Sequence, residues 1–211
     1  MKIAVIGCGN VGSTLGGRWA EKGHEVIFGV RDVNKEKVQK VLSETSAAAT
    51  SIKDAAAAAD VIVYAAWWSA VEEICREIGD FENKVLIDCI NPLKFGKAGL
   101  EGIELGFDTS AAEKLQGWAQ NARVVKCFNT ASAQTMANPV IDGVKGDIYL
   151  CGDDGEARKT VAALAAELDF TPVDCGDLSA ARYIEPMACL WIKLAFSGLG
   201  ADFISKLSSR K

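Results

Sequence analysis

The opening twelve residues, MKIAVIGCGNVG, restrict this fold more than any other stretch of the chain. After Lys2, residues 3–6 are apolar without polar alternation. They run straight into Gly7, Gly9 and Gly12, and a helical pattern follows at once. A strand buried on both faces, a glycine turn and a helix, in that order, open a βαβ unit. GxGxxG alone is a weak signal; the strand before it and the helix after it give it meaning. Gly7 permits the tight turn, Gly9 keeps side-chain atoms away from a pyrophosphate, and Gly12 lets the helix pack closely on the strand. Asn10 and Val11 begin that helix, whose free N–H groups and dipole suit phosphate.

The same alternation continues along the chain. Strands are expected at 25–28, 61–65, 84–88 and 123–127, and helices at 11–22, 34–43, 52–59, 69–78 and 110–121. Strand–helix alternation implies a parallel sheet with right-handed crossovers, an α/β Rossmann fold with a doubly wound sheet. A second βαβ unit follows in GDIYLCG, GEARKTVAALAAELD and FTPVDCG, with Ala157, Val161, Leu164 and Leu168 at helical spacing. Residues 178 to about 207 read as helical, interrupted by Gly198 and Gly200. The segment MACLWIKLAF within them is apolar nearly all round and is expected to be buried, against a second subunit of a homodimer. Turn residues near Pro139–Lys145 divide the chain into a Rossmann domain, 1–140, and a small carboxy-terminal βαβ-plus-helix extension, 141–211.

Composition narrows the function. Hydrophobic residues make up 49% of the 211 and charged residues 24%, as in ordinary globular proteins. A net charge of -5 gives no reason to bind nucleic acid or anionic membrane. No run is apolar enough to span a bilayer, and no secretory leader is evident, so the chain is read as cytoplasmic. The seven cysteines contain no CxxC pair. Cys89, Cys127, Cys151 and Cys175 fall near strand ends and are read as scattered thiols, with no metal site. The one histidine, His24, lies in a turn and is expected to face solvent, which leaves histidine-based chemistry without a place.

Nucleotide choice turns on GVRD, residues 29–32. NAD-selective sites tend to carry an acid at the end of the second strand. Val30 stands there instead, followed by Arg31, suited to grip a 2′-phosphate, with Lys35 near in sequence. Asp32 has two readings, a partner for Arg31 or a ribose contact that admits NADH. NADP is favoured, not exclusive.

With IGCGNVG, GHEVIFGVRD, KCFNTASA, CGDDGEARKTV and LDFTPVDCGDLSAARYIE in view, the chain resembles the F420-dependent NADP oxidoreductases over nearly its whole length. It also resembles the cytoplasmic oxidoreductase domain of the STEAP metalloreductases. The resemblance implies NADP over Gly7–Gly12, with Arg31 on its 2′-phosphate. It implies a nicotinamide near Ala66, Trp67 and Trp68, near Asn91 and Pro92, and near Asn129, Thr130 and Ala131. It implies a flavin-like second substrate: F420, FMN or FAD. Val30-Arg31-Asp32 stands where the F420-dependent enzymes commonly have Ser-Arg-Arg, so a weaker phosphate grip is expected. Trp67-Trp68 replaces a proline-tryptophan pair.

Hydride transfer between two rings asks little of protein acids and bases, so no catalytic side chain is assigned. Two alternatives stand beside it. Lys193 could serve an imine or β-hydroxyacid reductase, or could be a lysine snorkelling from a buried helix. The chain could instead be a nucleotide-sensing Rossmann module without turnover.

Overall fold

The computed structural model describes residues 1–97 and 99–210. The first half runs β1 (Lys2–Ile6), α1 (Asn10–Glu21), β2 (Glu25–Gly29), α2 (Glu36–Glu44), β3 (Ala48–Thr50), α3 (Ile52–Ala58), β4 (Val61–Tyr64) and α4 (Val71–Ile78). Then come β5 (Val85–Asp88), β6 (Leu93–Gly96), β7 (Gly99–Ile103), α5 (Ala111–Trp118), β8 (Arg123–Lys126) and α6 (Ala133–Ala137). The chain ends with β9 (Val140–Ile141), β10 (Val144–Lys145), β11 (Asp147–Leu150), α7 (Gly155–Glu167), β12 (Thr171–Asp174) and α8 (Ala181–Leu194).

Six strands form one parallel sheet in the order β3-β2-β1-β4-β5-β8. This is the doubly wound Rossmann order, reversing direction between β1 and β4. The apolar run of β1 is explained by burial on both sides. Ala4 and Ile6 face a core shared with α3, α4 and α5, while Ile3 and Val5 face one shared with α1 and α7. Helix starts follow local chemistry: Ser51, Ser110, Ser132 and Asp154 each accept a backbone N–H from the first turn they cap.

The β11–α7–β12 unit is joined to the sheet by an antiparallel bridge between Lys126 and Cys151. Its helix turns Ala157, Val161, Leu164 and Leu168 inward, as their spacing predicts. Trp19 Nε1 donates to Leu164 O at 3.2 Å, and the Arg18 guanidinium donates to Met136 O and Leu168 O.

On the single chain the segment MACLWIKLAF leaves Met187, Leu190, Leu194 and Phe196 exposed. Three expectations are corrected. The final helix does not reach residue 207. α8 ends at Leu194, a π turn follows to Leu199, and Gly198 and Gly200 adopt positive φ. The chain then returns along the carboxy-terminal unit, where Asp147 N donates to Ser205 O at 2.8 Å and Phe203 stacks on Trp191. His24 does not face solvent. Its side chain is only 10% exposed, with Nε2 2.6 Å from Glu167 on α7. Asp32 does not pair with Arg31: its Oδ1 accepts from Asn34 N and closes the turn after β2. Strand β3 and the hairpins β6–β7 and β9–β10 were not anticipated. They are too short, or too glycine-rich, to show an apolar period.

Candidate functional site

A cleft of about 860 Å³ opens at the carboxyl ends of β1, β2, β4 and β5, on both sides of the point where strand order reverses. Ligands of doubly wound sheets bind there. Gly7, Gly9, Asn10, Val11, Val30, Arg31, Lys35, Ala66, Trp67 and Asn91 all border it. Gly12 lies buried behind the turn, and Pro92, Asn129 and Ala131 lie outside the lining.

The three glycines have three physical roles. Gly7 has φ +104, and a Cβ there would stand 3.0 Å from Ala65 O. A Cβ on Gly12 would lie 2.1 Å from Gly7 O, so the helix could not sit where it does. A Cβ on Gly9 would meet no atom within 4 Å: the space above it is open cleft. Gly9 is also the N-cap of α1 and offers no side-chain cap, and the first turn holds no acid. The N–H groups that begin α1 are therefore free for an anion. Cys8 keeps its proton there, because burial raises its pKa against the pull of Lys37.

At the far end of β2, Arg31 is 67% exposed and only loosely paired with Glu73, 4.0 Å away. Lys37, which sequence reasoning missed, borders the same end and donates to Asn10 Oδ1 at 3.3 Å. Val30 stands where an acid would repel a phosphate, and Asp32, two places on, borders the same end.

The two tryptophans separate. Trp68 is half-buried, donates to Glu104 at 2.8 Å and lies 5.7 Å from the Trp118 ring. Trp67 is 81% exposed at the cleft, too open for a core residue. Beyond it the cleft is lined by Ala65, Ala66, Ile90, Asn91 and Leu93. Cys89 is the titratable group there, and burial raises its pKa well above the ordinary thiol value. Lys193 is exposed on α8, outside the lining.

Next to Asn91 the chain leaves β8 through Phe128, which has φ +68 and is fully buried. A bulky residue in the left-handed region is strained, and such strain gathers at functional sites. Edge contacts with Trp19 (5.8 Å) and Phe170 (6.0 Å) hold it. The turn delivers Asn129, whose Nδ2 donates to Asn91 Oδ1 at 2.9 Å, while Asn91 Nδ2 donates to Asn129 O at 2.9 Å. Asn129 and Thr130 are 6% and 9% exposed, yet Asn129 Oδ1 and Thr130 Oγ1 have no partner among the described residues. Buried polar atoms left unpaired are costly, and a ligand that supplies the missing bond relieves that cost.

Under this floor lies an ionic cluster that sequence reasoning also missed. Lys126, Asp88 and Glu185 are essentially inaccessible, with Lys126 Nζ 3.0 Å from Asp88 and 2.9 Å from Glu185. Burial opposes the lysine's charge, but the two carboxylates outweigh it and hold its pKa above the ordinary value. Burial pushes the Asp88 carboxyl up, a push that Lys126 opposes and Glu185 reinforces.

Comparison with known proteins agrees with this geometry. Residues 2–92 match the family model described as NADP oxidoreductase coenzyme F420-dependent. The F420-dependent NADP reductase of Methanothermobacter thermautotrophicus is 36% identical over 208 residues, covering 92% of this chain and 89% of that protein. The chain belongs to the F420-dependent NADP oxidoreductase family. It is accordingly an NADP-dependent oxidoreductase. Among solved structures, a putative F420-dependent NADP reductase from Arthrobacter sp. FB24 superposes with a TM-score of 0.91 at 30% identity, covering 99% of this chain and all of that one. Metalloreductase STEAP3 of Rattus norvegicus is 30% identical over 184 residues, and the match spans 87% of this chain but 36% of STEAP3. No helix among the described residues is long and apolar enough to cross a membrane. Nor does any group of three or more His, Cys, Asp or Glu residues among them form a metal-binding set.

Proposed function

We propose that this chain carries a hydride between NADP(H) and a planar flavin-like ring: F420, FMN or FAD. The observation that carries the reading is the division of the cleft. One end is an anion cradle with Arg31, Lys35 and Lys37 around it. The other end has an exposed tryptophan face and no carboxylate, histidine or lysine in its lining. NADPH supplies the hydride, a proton and two electrons from nicotinamide C4, and the acceptor ring takes a second proton from solvent. The protein's part is to hold two rings in contact and keep water out.

The residues present fit the nucleotide. Gly9 leaves room for a pyrophosphate, the uncapped start of α1 faces it, and Arg31 is free to meet a 2′-phosphate. Asn129 lies just behind the cleft-lining Asn91, and its buried, unpaired Oδ1 suits an amide donor such as the nicotinamide carboxamide entering from the cleft. Trp67 offers a stacking surface to the acceptor. The seven thiols are all unpaired, which suits a reducing cytoplasm.

A panel of acceptors with NADPH tests the reaction: F420, FMN, FAD, riboflavin, ferric and cupric chelates, and cyclic imines. Reduction of F420 or a flavin is expected. Reduction of the imine alone, abolished by Lys193→Met, would overturn the reading.

Arg31→Ala tests the nucleotide. A charge-assisted contact to phosphate contributes roughly 1.5–3 kcal/mol, so NADPH affinity should fall about 10- to 150-fold while NADH affinity barely changes. Equal losses would show that the arginine does not read the phosphate.

We further propose a homodimer that covers Met187, Leu190, Leu194 and Phe196, a large apolar exposure for α8 and the π turn after it. Sedimentation at micromolar concentration should give twice the chain mass; a monomer refutes it.

A further inference from the structure

The buried cluster under the cleft is fully bonded and touches no solvent, so ordinary stability would be served as well by apolar side chains. Its bonds are directed at one place. Asp88 Oδ1 accepts from Ile90 N at 2.9 Å, and Lys126 Nζ donates to Ile90 O. Both peptide groups of Ile90 are therefore fixed, and Asn91 follows Ile90 directly. Asn91 makes the reciprocal pair with Asn129, and Asn129 Nδ2 also donates to Ile184 O at 3.3 Å. Ile184 is the neighbour of Glu185, which closes the circuit through Lys126. Glu185 is anchored in turn by the N–H groups of Ala111 and Ala112 at the start of α5 (2.9 and 3.1 Å).

We propose that Lys126, Asp88 and Glu185 are positioning residues for the nicotinamide end of the cofactor. They lock the Ile90–Asn91 link and the Asn91–Asn129 pair so that Asn129 Oδ1 stays unpaired for the ligand, and they make α8 part of that floor. The proposal rests on NADP(H) lying with its nicotinamide toward Asn129. A buried network of this kind is retained where a single arrangement must be held. The strained Phe128 turn has the same logic: aromatic packing keeps it from relaxing, and it aims the residue that follows it.

The test separates the two ends of the cofactor. Glu185→Gln and Asp88→Asn each keep one carbonyl oxygen for hydrogen bonding and remove one charge. NADPH is compared with 2′,5′-ADP, which fills only the adenosine end. Each variant should bind NADPH about 5- to 50-fold more weakly and 2′,5′-ADP with unchanged affinity. A double-mutant cycle with Asn129→Ala should show coupling: once Glu185 is replaced, removing the asparagine side chain should cost little more. Additive losses, an undiminished NADPH affinity, or equal losses for both ligands would overturn the proposal. So would loss of 2′,5′-ADP binding in both variants, which would make the cluster a folding element. If the unaltered protein binds 2′,5′-ADP as tightly as NADPH, the nicotinamide placement itself fails, and that outcome is distinct from those above.

Discussion

Gly9→Asp is expected to lower NADPH affinity at least a hundredfold while leaving the fold intact. Gly9 has φ -79 and ψ -170, ordinary extended backbone that any residue adopts. A Cβ there meets nothing within 4 Å, so no neighbour has to move. Aspartate is a good helix N-cap, and its carboxylate would accept from the first turn of α1, a gain of a few tenths of a kcal/mol over glycine. That carboxylate would then stand where the pyrophosphate must lie, and it would repel the phosphates and consume their N–H donors. A hundredfold loss corresponds to about 2.7 kcal/mol, well within what an uncompensated charge contact costs at a partly buried site. Quenching of NADPH fluorescence and thermal unfolding together decide the matter. Weaker binding with a Tm within about 2 °C is the expected pair. Undiminished binding would show that the nucleotide does not cross Gly9. Gly12→Ala provides the contrast, since its Cβ would meet Gly7 O at 2.1 Å, and it should reduce stability and binding together.

Trp19→Ala should produce the largest loss of stability, roughly 3–5 kcal/mol. The ring is fully buried between α1 and α7, lies edge-on to Phe128 and donates its N–H to Leu164 O. Removing it leaves a void between α1 and the carboxy-terminal unit and takes away the bond to that carbonyl. For a chain of this size the loss corresponds to a fall in Tm of roughly 6–20 °C. It should also weaken NADPH binding at temperatures well below unfolding, because the strained Phe128 turn loses one of its two aromatic supports. Urea unfolding with unchanged slope and a shifted midpoint is the measurement. A shift under 1 kcal/mol would mean that α7 and α1 are not tied through this ring.

The central sheet was legible because five of its six parallel strands are largely buried and most crossover helices have their own period. Those are local signals, and β1, β2, β4, β5 and β8 all carry them. The end of the cleft bordered by Gly7 and Arg31 was legible for a similar reason: a glycine turn and the residues just after β2 are local sequence signals. The short elements escaped. Three residues of β3 hold no pattern, and the β6–β7 hairpin is marked by glycines that read simply as loop.

The sequence by itself determined a doubly wound parallel sheet, a glycine turn through Gly7, Gly9 and Gly12 between β1 and α1, and an arginine in place of an acid after β2. Tertiary structure alone decided the floor. Lys126, Asp88 and Glu185 are separated by up to 97 residues and meet only because β5 and β8 are neighbours and α8 folds back over α5. A buried lysine at a strand end looks in sequence like a surface charge, since solvent is what a lone ammonium prefers. Burial becomes affordable when two carboxylates and a carbonyl converge on it, and convergence is a property of topology. The same holds for α8. Its second half is apolar nearly all round, but how much of it the chain itself covers depends on where α5 and β7 come to rest, and no local period records that.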